Sequence, residues 1–225
     1  VINIEQLLNQ ALFERCVFHS EADFQHHLAW FIHQHHQDYQ VRLEYPLPKE
    51  DGSSRWEYCD IVIVGASETV GIELKYKTKK TQGDIVIEND VFQKEVFKLK
   101  NQSAQDIGRY DFLKDVARLE QWTASGQHKF SSGYAILLTN DPSYWNAPKK
   151  DNTNDRAFRL HHKEISGDLS WSAQASKGTT IGRCETISLR SHYPLKWCNA
   201  PQYEFKYLFA CKVILADIQH FWSSI

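Results

Sequence analysis

The sequence predicts one α/β domain built on a mixed central sheet. Three features carry that expectation: amphipathic helical periodicity near the N terminus, two adjacent strand-like runs at 58–64 and 69–77, and a long helical stretch leading into an apolar strand at 134–138. Helices repeat their apolar residues about every 3.6 positions and strands every second one, and both periods are present here. A chain of 225 residues can bury one sizeable core, and its length favours one domain over two. Residues 1–225 are therefore expected to form one unit, with a core over about 1–145 and a β-rich C-terminal elaboration over about 146–225.

Asn3 to Cys16 reads as the first helix, with Ile4, Leu7, Leu8, Ala11 and Leu12 at helical spacing and Asn3/Gln6 as its capping pair. It carries packing only. The second helix begins at Ser20, where Asp23 completes a Ser-x-x-Asp cap. Phe24, Leu28, Phe31 and Ile32 form its apolar stripe, and Glu21 lies in the same stripe. A carboxylate there either complements the helix dipole, for under about 1 kcal/mol, or reaches a site.

This second helix region is rich in histidine: His19, His26, His27, His33, His35 and His36. No His/His pair at i, i+4 stands beside a glutamate as a helical zinc site requires, so a polar, partly titrating surface is expected. His35 falls on the apolar stripe and reads as a satisfied core histidine.

The two strand-like runs carry the chemistry. Tyr58–Val64 places Asp60 at the opening of an apolar run, and Thr69–Lys77 places Glu73 and Lys75 on one face with Ile72, Leu74 and Tyr76 on the other. Two carboxylates and an ammonium on neighbouring strands suit a hard divalent cation, an oriented water and phosphodiester hydrolysis. The acid-x-Lys triplet alone is weak, since Glu204-x-Lys206 repeats it with no Asp-bearing strand before it. Its bland reading is a surface ion pair worth about 0–1 kcal/mol. Asp60 shifts the balance, because an acid beside Ile61, Val62, Ile63 and Val64 is costly to bury without a partner or a metal.

Lys77, Lys79 and Lys80 follow directly and offer local phosphate contacts, or form a solvated loop. The long helix starts near Ser103, capped by Asp106, and runs to about Thr123. Its inward stripe is Phe112, Val116, Leu119 and Thr123, which extends backward through Arg109 and Gln105; an arginine there suits bidentate phosphate contact. Asp111, Lys114, Asp115, Arg118 and Gln121 read as its solvated face.

Tyr134–Leu138 is a continuous apolar run and reads as a buried strand. In its exit turn, Tyr144 and Trp145 either stack on unpaired bases or wedge the loop onto the core, and the wedge is the expectation. Residues 146–163 form a polar break, followed by strand-like pieces at 169–171, 185–189 and 207–214.

A net charge of −2 argues against a broad, salt-driven nucleic-acid coat but not against a groove with local cations. No apolar run reaches membrane-spanning length and no signal-peptide pattern opens the sequence. The five scattered cysteines (16, 59, 184, 198 and 211) lack Cys-x-x-Cys spacing, which fits reduced thiols and a cytoplasmic location. No Ser or Cys lies on a nucleophile-elbow pattern.

Asp60 followed by Glu73-Leu74-Lys75 resembles the signature of the PD-(D/E)XK nuclease superfamily, over about the first 140 residues. The resemblance implies a restriction-endonuclease-like core (helix, mixed central sheet, helix, strand). It further implies that Asp60, Glu73 and the Leu74 carbonyl ligate Mg²⁺, with Mn²⁺ as a substitute, and that Lys75 orients or deprotonates the attacking water. Glu21 matches a first-helix glutamate that reaches the metal site in that group, and Gln105 or Arg109 an accessory position. Cys59 stands where the signature has proline. The stretches 108–116 and 138–145 also resemble bacterial members that have no assigned substrate. The implied activity is a Mg²⁺-dependent endo- or exonuclease acting on nucleic acid, DNA favoured over RNA, in defence or repair. A homodimer or association with other defence or repair proteins is compatible with it, and no membrane partner is implied. The alternative is a catalytically inactive module of the same fold that binds nucleic acid or a protein.

Overall fold

The computed structural model describes residues 2–49, 54–88, 94–124, 130–161, 164–200 and, for backbone only, 212–218. Helices α1 (Ile4–Glu14) and α2 (Glu21–His35) come first, capped by Asn3 and Ser20, whose side chains accept the N–H groups of Gln6 and Asp23. Strands β1 (Gln40–Pro48), β2 (Trp56–Val64) and β3 (Thr69–Lys77) form an antiparallel meander. A short pair, β4 (Ile85–Ile87) and β5 (Glu95–Phe97), precedes helix α3 (Gln105–Ala124) and strand β6 (Ser132–Thr139). Strand β6 pairs parallel to β3, so α3 is the crossover between them.

The C-terminal part corrects the expected elaboration. Strands β9 (Lys196–Asn199) and β10 (Lys212–Ile218) extend the central sheet, in the order β1-β2-β3-β6-β10-β9, while β7 (Glu164–Leu169) and β8 (Ile187–Pro194) form a second two-stranded pair in addition to β4–β5. The result is a mixed α/β fold with a mixed central sheet flanked by helices. The described part of the polar break, 146–161, is also packed more closely than its composition suggests: it holds a short 3-10 turn, Arg156–Phe158, with Phe158, Leu160 and Asp155 buried. Glu204 and Lys206 lie outside the described residues.

Strand alternation sorts the core into two layers. Ile72, Leu74 and Tyr76 of β3 and Tyr134, Ile136 and Leu138 of β6 face α1 and α2. Ala135 and Leu137 face α3, where Phe112, Leu113, Val116, Leu119 and Trp122 pack, and β7, β8 and the 3-10 turn close over that helix. Gly71 and Gly133 stand opposite each other in the β3–β6 register and let α3 approach: a Cβ on Gly133 would come within 3.1 Å of Leu119. Glu120 fastens β8 to the helix by accepting the N–H groups of Arg190 and Ser191 and the Tyr193 hydroxyl. Tyr144 and Trp145 are buried, so the β6 exit turn is a wedge and offers no stacking platform. None of Cys16, Cys59, Cys184 and Cys198 is in a disulfide. Among the described residues no helix is long and apolar enough to cross a membrane.

Candidate active site

The site forms where β2 and β3 part. Their ladder runs from Val64↔Thr69 to Ile61↔Ile72 and stops, while β3 continues alongside β6 as far as Lys77↔Thr139. Beyond Ile72 the β3 backbone needs other acceptors on its β2 side. The Leu74 N–H donates to Asp60 Oδ2 at 2.6 Å and the Tyr76 N–H donates to Glu21 Oε2 at 2.7 Å. Two carboxylates thus replace two ladder bonds, which fixes both acids at the fork.

Strand β1 accommodates the same fork. Its register with β2 skips from Leu43↔Ile61 to Tyr45↔Cys59, and the residue between, Glu44, adopts φ 48°. That left-handed conformation is uncommon for a residue with a side chain and marks a local bend. Gln25, one turn after Glu21 on α2, holds the bend: its Nε2 donates to Glu44 Oε1 at 2.8 Å and to the Asp60 carbonyl at 2.7 Å. The Cys59 thiol, pushed up by burial, lies against the Ile61 and Ile72 carbonyls.

On the α3 side of the sheet Glu73 and Lys75 meet α3. Glu73 is 1% exposed; its Oε2 pairs with Arg118 at 2.8 Å, and its Oε1 is buried without a hydrogen-bond partner. Lys75 Nζ lies 2.5 Å from Asp115 Oδ2 and donates to the Leu74 carbonyl at 3.1 Å. Arg118 also donates to Asp115 Oδ1 at 2.8 Å, which closes the chain Lys75–Asp115–Arg118–Glu73. Asp115 and Arg118, expected on a solvated face, therefore line the site. The i, i+3 spacing of an acid and a base was visible in the sequence, but the rotation of α3 that turns them toward β3 was not.

The electrostatics are those of carboxylates short of positive charge. Burial raises Asp60 to about 6, against the lowering by the Leu74 N–H and Lys75, with Asp115 and Glu21 adding to the rise. Burial likewise holds Glu73 well above the ordinary carboxylate range, as do Asp115 and Asp60, while Arg118 and Lys75 oppose them. Burial works against the Lys75 ammonium, yet Asp115, Glu21 and Glu73 outweigh it and keep the lysine charged above its ordinary range. Fully ionised, Glu21, Asp60, Glu73 and Asp115 exceed Lys75 and Arg118 by two charges, the charge of one divalent cation.

The donor set fits such an ion. Asp60 and Glu73 supply hard anionic oxygens, one of them buried and unsatisfied, and the Leu74 carbonyl is the neutral oxygen beside them. Among the described residues no three Asp, Glu, His or Cys side chains converge on their own to hold a metal. In this arrangement Arg118 and Lys75 answer the carboxylates instead. Among the described histidines, His27 bonds the Ala11 carbonyl, and His35, exposed rather than in the core, stacks on Phe31.

The remaining predicted residues separate. Lys77 is half-buried and Lys79 and Lys80 are exposed at the end of β3, where Asn140 clamps the Lys79 backbone by two hydrogen bonds of 2.7 and 2.9 Å. Arg109 is corrected to a structural role. It is 4% exposed, donates through Nε to Asp155 at 2.9 Å and reaches the Ser143 carbonyl, leaving no accessible face for a phosphate. Gln105 is spent on Asp141 at 2.8 Å. Gln25, Glu44, Asp115 and Arg118 are the site residues that sequence reasoning missed. For Gln25 a signal existed, a second polar residue one turn after Glu21 on the apolar stripe.

A groove of about 390 Å³ opens beside Arg118, lined also by Lys49, Glu57, Lys114 and Arg190. A roomier hollow of about 710 Å³ lies between α1 and α2, lined by Phe13, Phe31 and His35, with none of the fork residues in its wall. Comparison with family models, curated proteins and solved structures found no match for this chain.

Proposed function

We propose that this chain is a Mg²⁺-dependent nuclease with restriction-endonuclease-like architecture, acting on DNA. The observation that supports it best is the fork, which gathers Asp60, Glu73, Lys75 and the Leu74 carbonyl around two carboxylates short of positive charge. Structural ion pairs alone seldom leave a buried carboxylate oxygen without a donor.

In this reading Asp60, Glu73 and the Leu74 carbonyl hold the ion. A bound Mg²⁺ would neutralise charge on the scissile phosphate and acidify a bound water. The carboxylates of Asp115, Glu21 and Glu73 favour the charged form of Lys75, which suits it to orient the water and stabilise negative charge on the phosphate. Asp115 fixes the lysine's position. Glu21 sets the end of β3 through the Tyr76 N–H, and Lys77, Lys79 and Lys80 supply phosphate contacts along the flank.

The test is cleavage of single- and double-stranded DNA and RNA with Mg²⁺ or Mn²⁺, wild type beside Lys75→Ala. Metal-dependent cutting that Lys75→Ala abolishes supports the reading, and the polymer cut names the substrate. Cutting that persists in Lys75→Ala, or its absence in the wild type with every polymer and metal, would sink it.

A further inference from the structure

Arg118 and Glu73 form an ion pair at 2.8 Å, yet neither is satisfied by it. Glu73 Oε1 is a buried acceptor without a donor, and Arg118 Nε is a buried donor without an acceptor. Two partners that leave each other incomplete at close range call for two further groups: a cation for Glu73 and an anion for Arg118. The surroundings offer room for both. Glu73 feels the Asp60 charge at the fork, while Arg118, 24% exposed, forms part of a groove wall in which Lys49 and Lys114 are paired with Glu57 and Glu185 at 3.4 Å each.

We propose that Arg118 is a resident counter-ion that a divalent cation displaces from Glu73, and that the released guanidinium then engages a substrate phosphate in the adjoining groove. The proposal rests on the metal-dependent nuclease reading and adds a switch to it. Without metal, Arg118 and Lys75 offset half of the cluster's carboxylates through Asp115 and Glu73, which helps the fold tolerate four neighbouring acids. With metal, Glu73 changes partner, and the arginine becomes available on the side where a phosphate arrives. Asp115 remains its tether through the 2.8 Å contact, so the displacement is a swing of one side chain and not a rearrangement of α3. A guanidinium suits this exchange because its planar fork binds carboxylate and phosphate with the same geometry.

The distinguishing consequence is opposite movement of metal affinity and activity. Arg118→Met keeps an unbranched apolar stem and removes the competing charge, together with the guanidinium that lies 5.4 Å from the Trp122 ring centre. We expect Arg118→Met to bind Mn²⁺ about tenfold more tightly than wild type, the scale of one charge-assisted contact. Binding is read as free Mn²⁺ by electron paramagnetic resonance at fixed ionic strength, without nucleic acid. Cleavage by the same variant should fall about 100-fold, the scale of one lost transition-state donor. A residue that merely supports the fold would not raise metal affinity.

Arg118→Met leaves Glu73 without its counter-ion, so Mn²⁺ should raise its melting temperature by more than it raises that of wild type. Should Arg118→Met not fold, Arg118→Lys, a shorter point charge, is expected to bind Mn²⁺ more tightly than wild type. Mn²⁺ affinity in a folded variant that is equal to or weaker than wild type overturns the proposal, as does failure of wild type and variant alike to bind Mn²⁺. If the affinities order as expected while no polymer is cut by wild type, the counter-ion role stands and the nuclease reading fails.

Discussion

Asp60 accepts the Leu74 N–H at 2.6 Å at the point where the β2–β3 ladder ends, so one side chain both terminates the pairing and is positioned by it. The acid is then held in a half-buried setting where its charge is disfavoured. A raised pKa in the folded state means that the protonated form is the better-tolerated one. The site therefore carries a stability cost at neutral pH, and the cation that would offset it is the one that the proposed chemistry requires.

Asp60→Asn should stabilise the metal-free protein at neutral pH. The folded pKa of Asp60, about 6, lies above the ordinary 3.8, so its favourable contribution is fully present below about pH 3.8 and is lost as pH rises through about 6. Asparagine keeps the acceptor for the Leu74 N–H and removes that loss. The expected gain at pH 7 is on the order of 1–3 kcal/mol, or several degrees in melting temperature, shrinking toward pH 4. Thermal melts of both proteins from pH 4 to 8 without metal check it. A gap that does not widen with pH would refute the assignment.

Glu21 provides the second replaced ladder bond, and its value should show in a paired substitution. Glu21→Ala leaves the Tyr76 N–H without its acceptor and should cost about 1–3 kcal/mol in urea unfolding. Glu21→Gln retains a carbonyl oxygen and should recover most of that. Equal losses for the two variants would mean that charge, not the hydrogen bond, holds Glu21 in place.

What was legible in the sequence follows from the range of the signals. Asn3 and Ser20 cap their helices through neighbours three residues away, and the period-2 pattern of β3 separates Glu73 and Lys75 from Ile72, Leu74 and Tyr76; both are local and both were readable. The face of α3 was not, because Asp115 and Arg118 share charge and spacing with an ordinary solvated face, and only packing against β3 distinguishes them. Arg109 misled for the converse reason. Its place on an inward stripe was correct, but its partner Asp155 lies 46 residues away in a stretch whose composition reads as a loop. Strand β10 joined the central sheet through pairing with β6 and β9, a long-range choice that its apolar run alone does not specify.

The Arg109–Asp155 pair yields a stability prediction with the opposite pH sign to Asp60. Burial tends to raise Asp155, but Arg109, with Thr153 and Arg159, outweighs it and holds the carboxyl below its ordinary range. Its contribution is present above about pH 3.8 and is lost as pH falls through the lower folded value. Asp155→Ala would leave Arg109 buried without its main partner and should cost about 3–5 kcal/mol at pH 7 by urea unfolding. A loss under about 1 kcal/mol would count against the structural role given to Arg109.

Lys77, Lys79 and Lys80 test whether nucleic acid passes along the end of β3. The Asn140 clamp fixes the Lys79 backbone, so the exposed Lys79 and Lys80 are presented from a positioned segment beside half-buried Lys77. Each phosphate contact releases condensed counterions and adds about 0.7–0.9 to the slope of log affinity against log salt. Replacing all three lysines by alanine should lower affinity for a short DNA and flatten that slope by about 1–2, as one or two contacts are lost. Hydrolysis of a small chromogenic phosphodiester, which cannot reach the flank, should be unchanged. Fluorescence anisotropy titrations at several salt concentrations give both quantities, and an unaltered slope would place the nucleic-acid path elsewhere, with the mixed-charge groove beside Arg118 as the next surface to test.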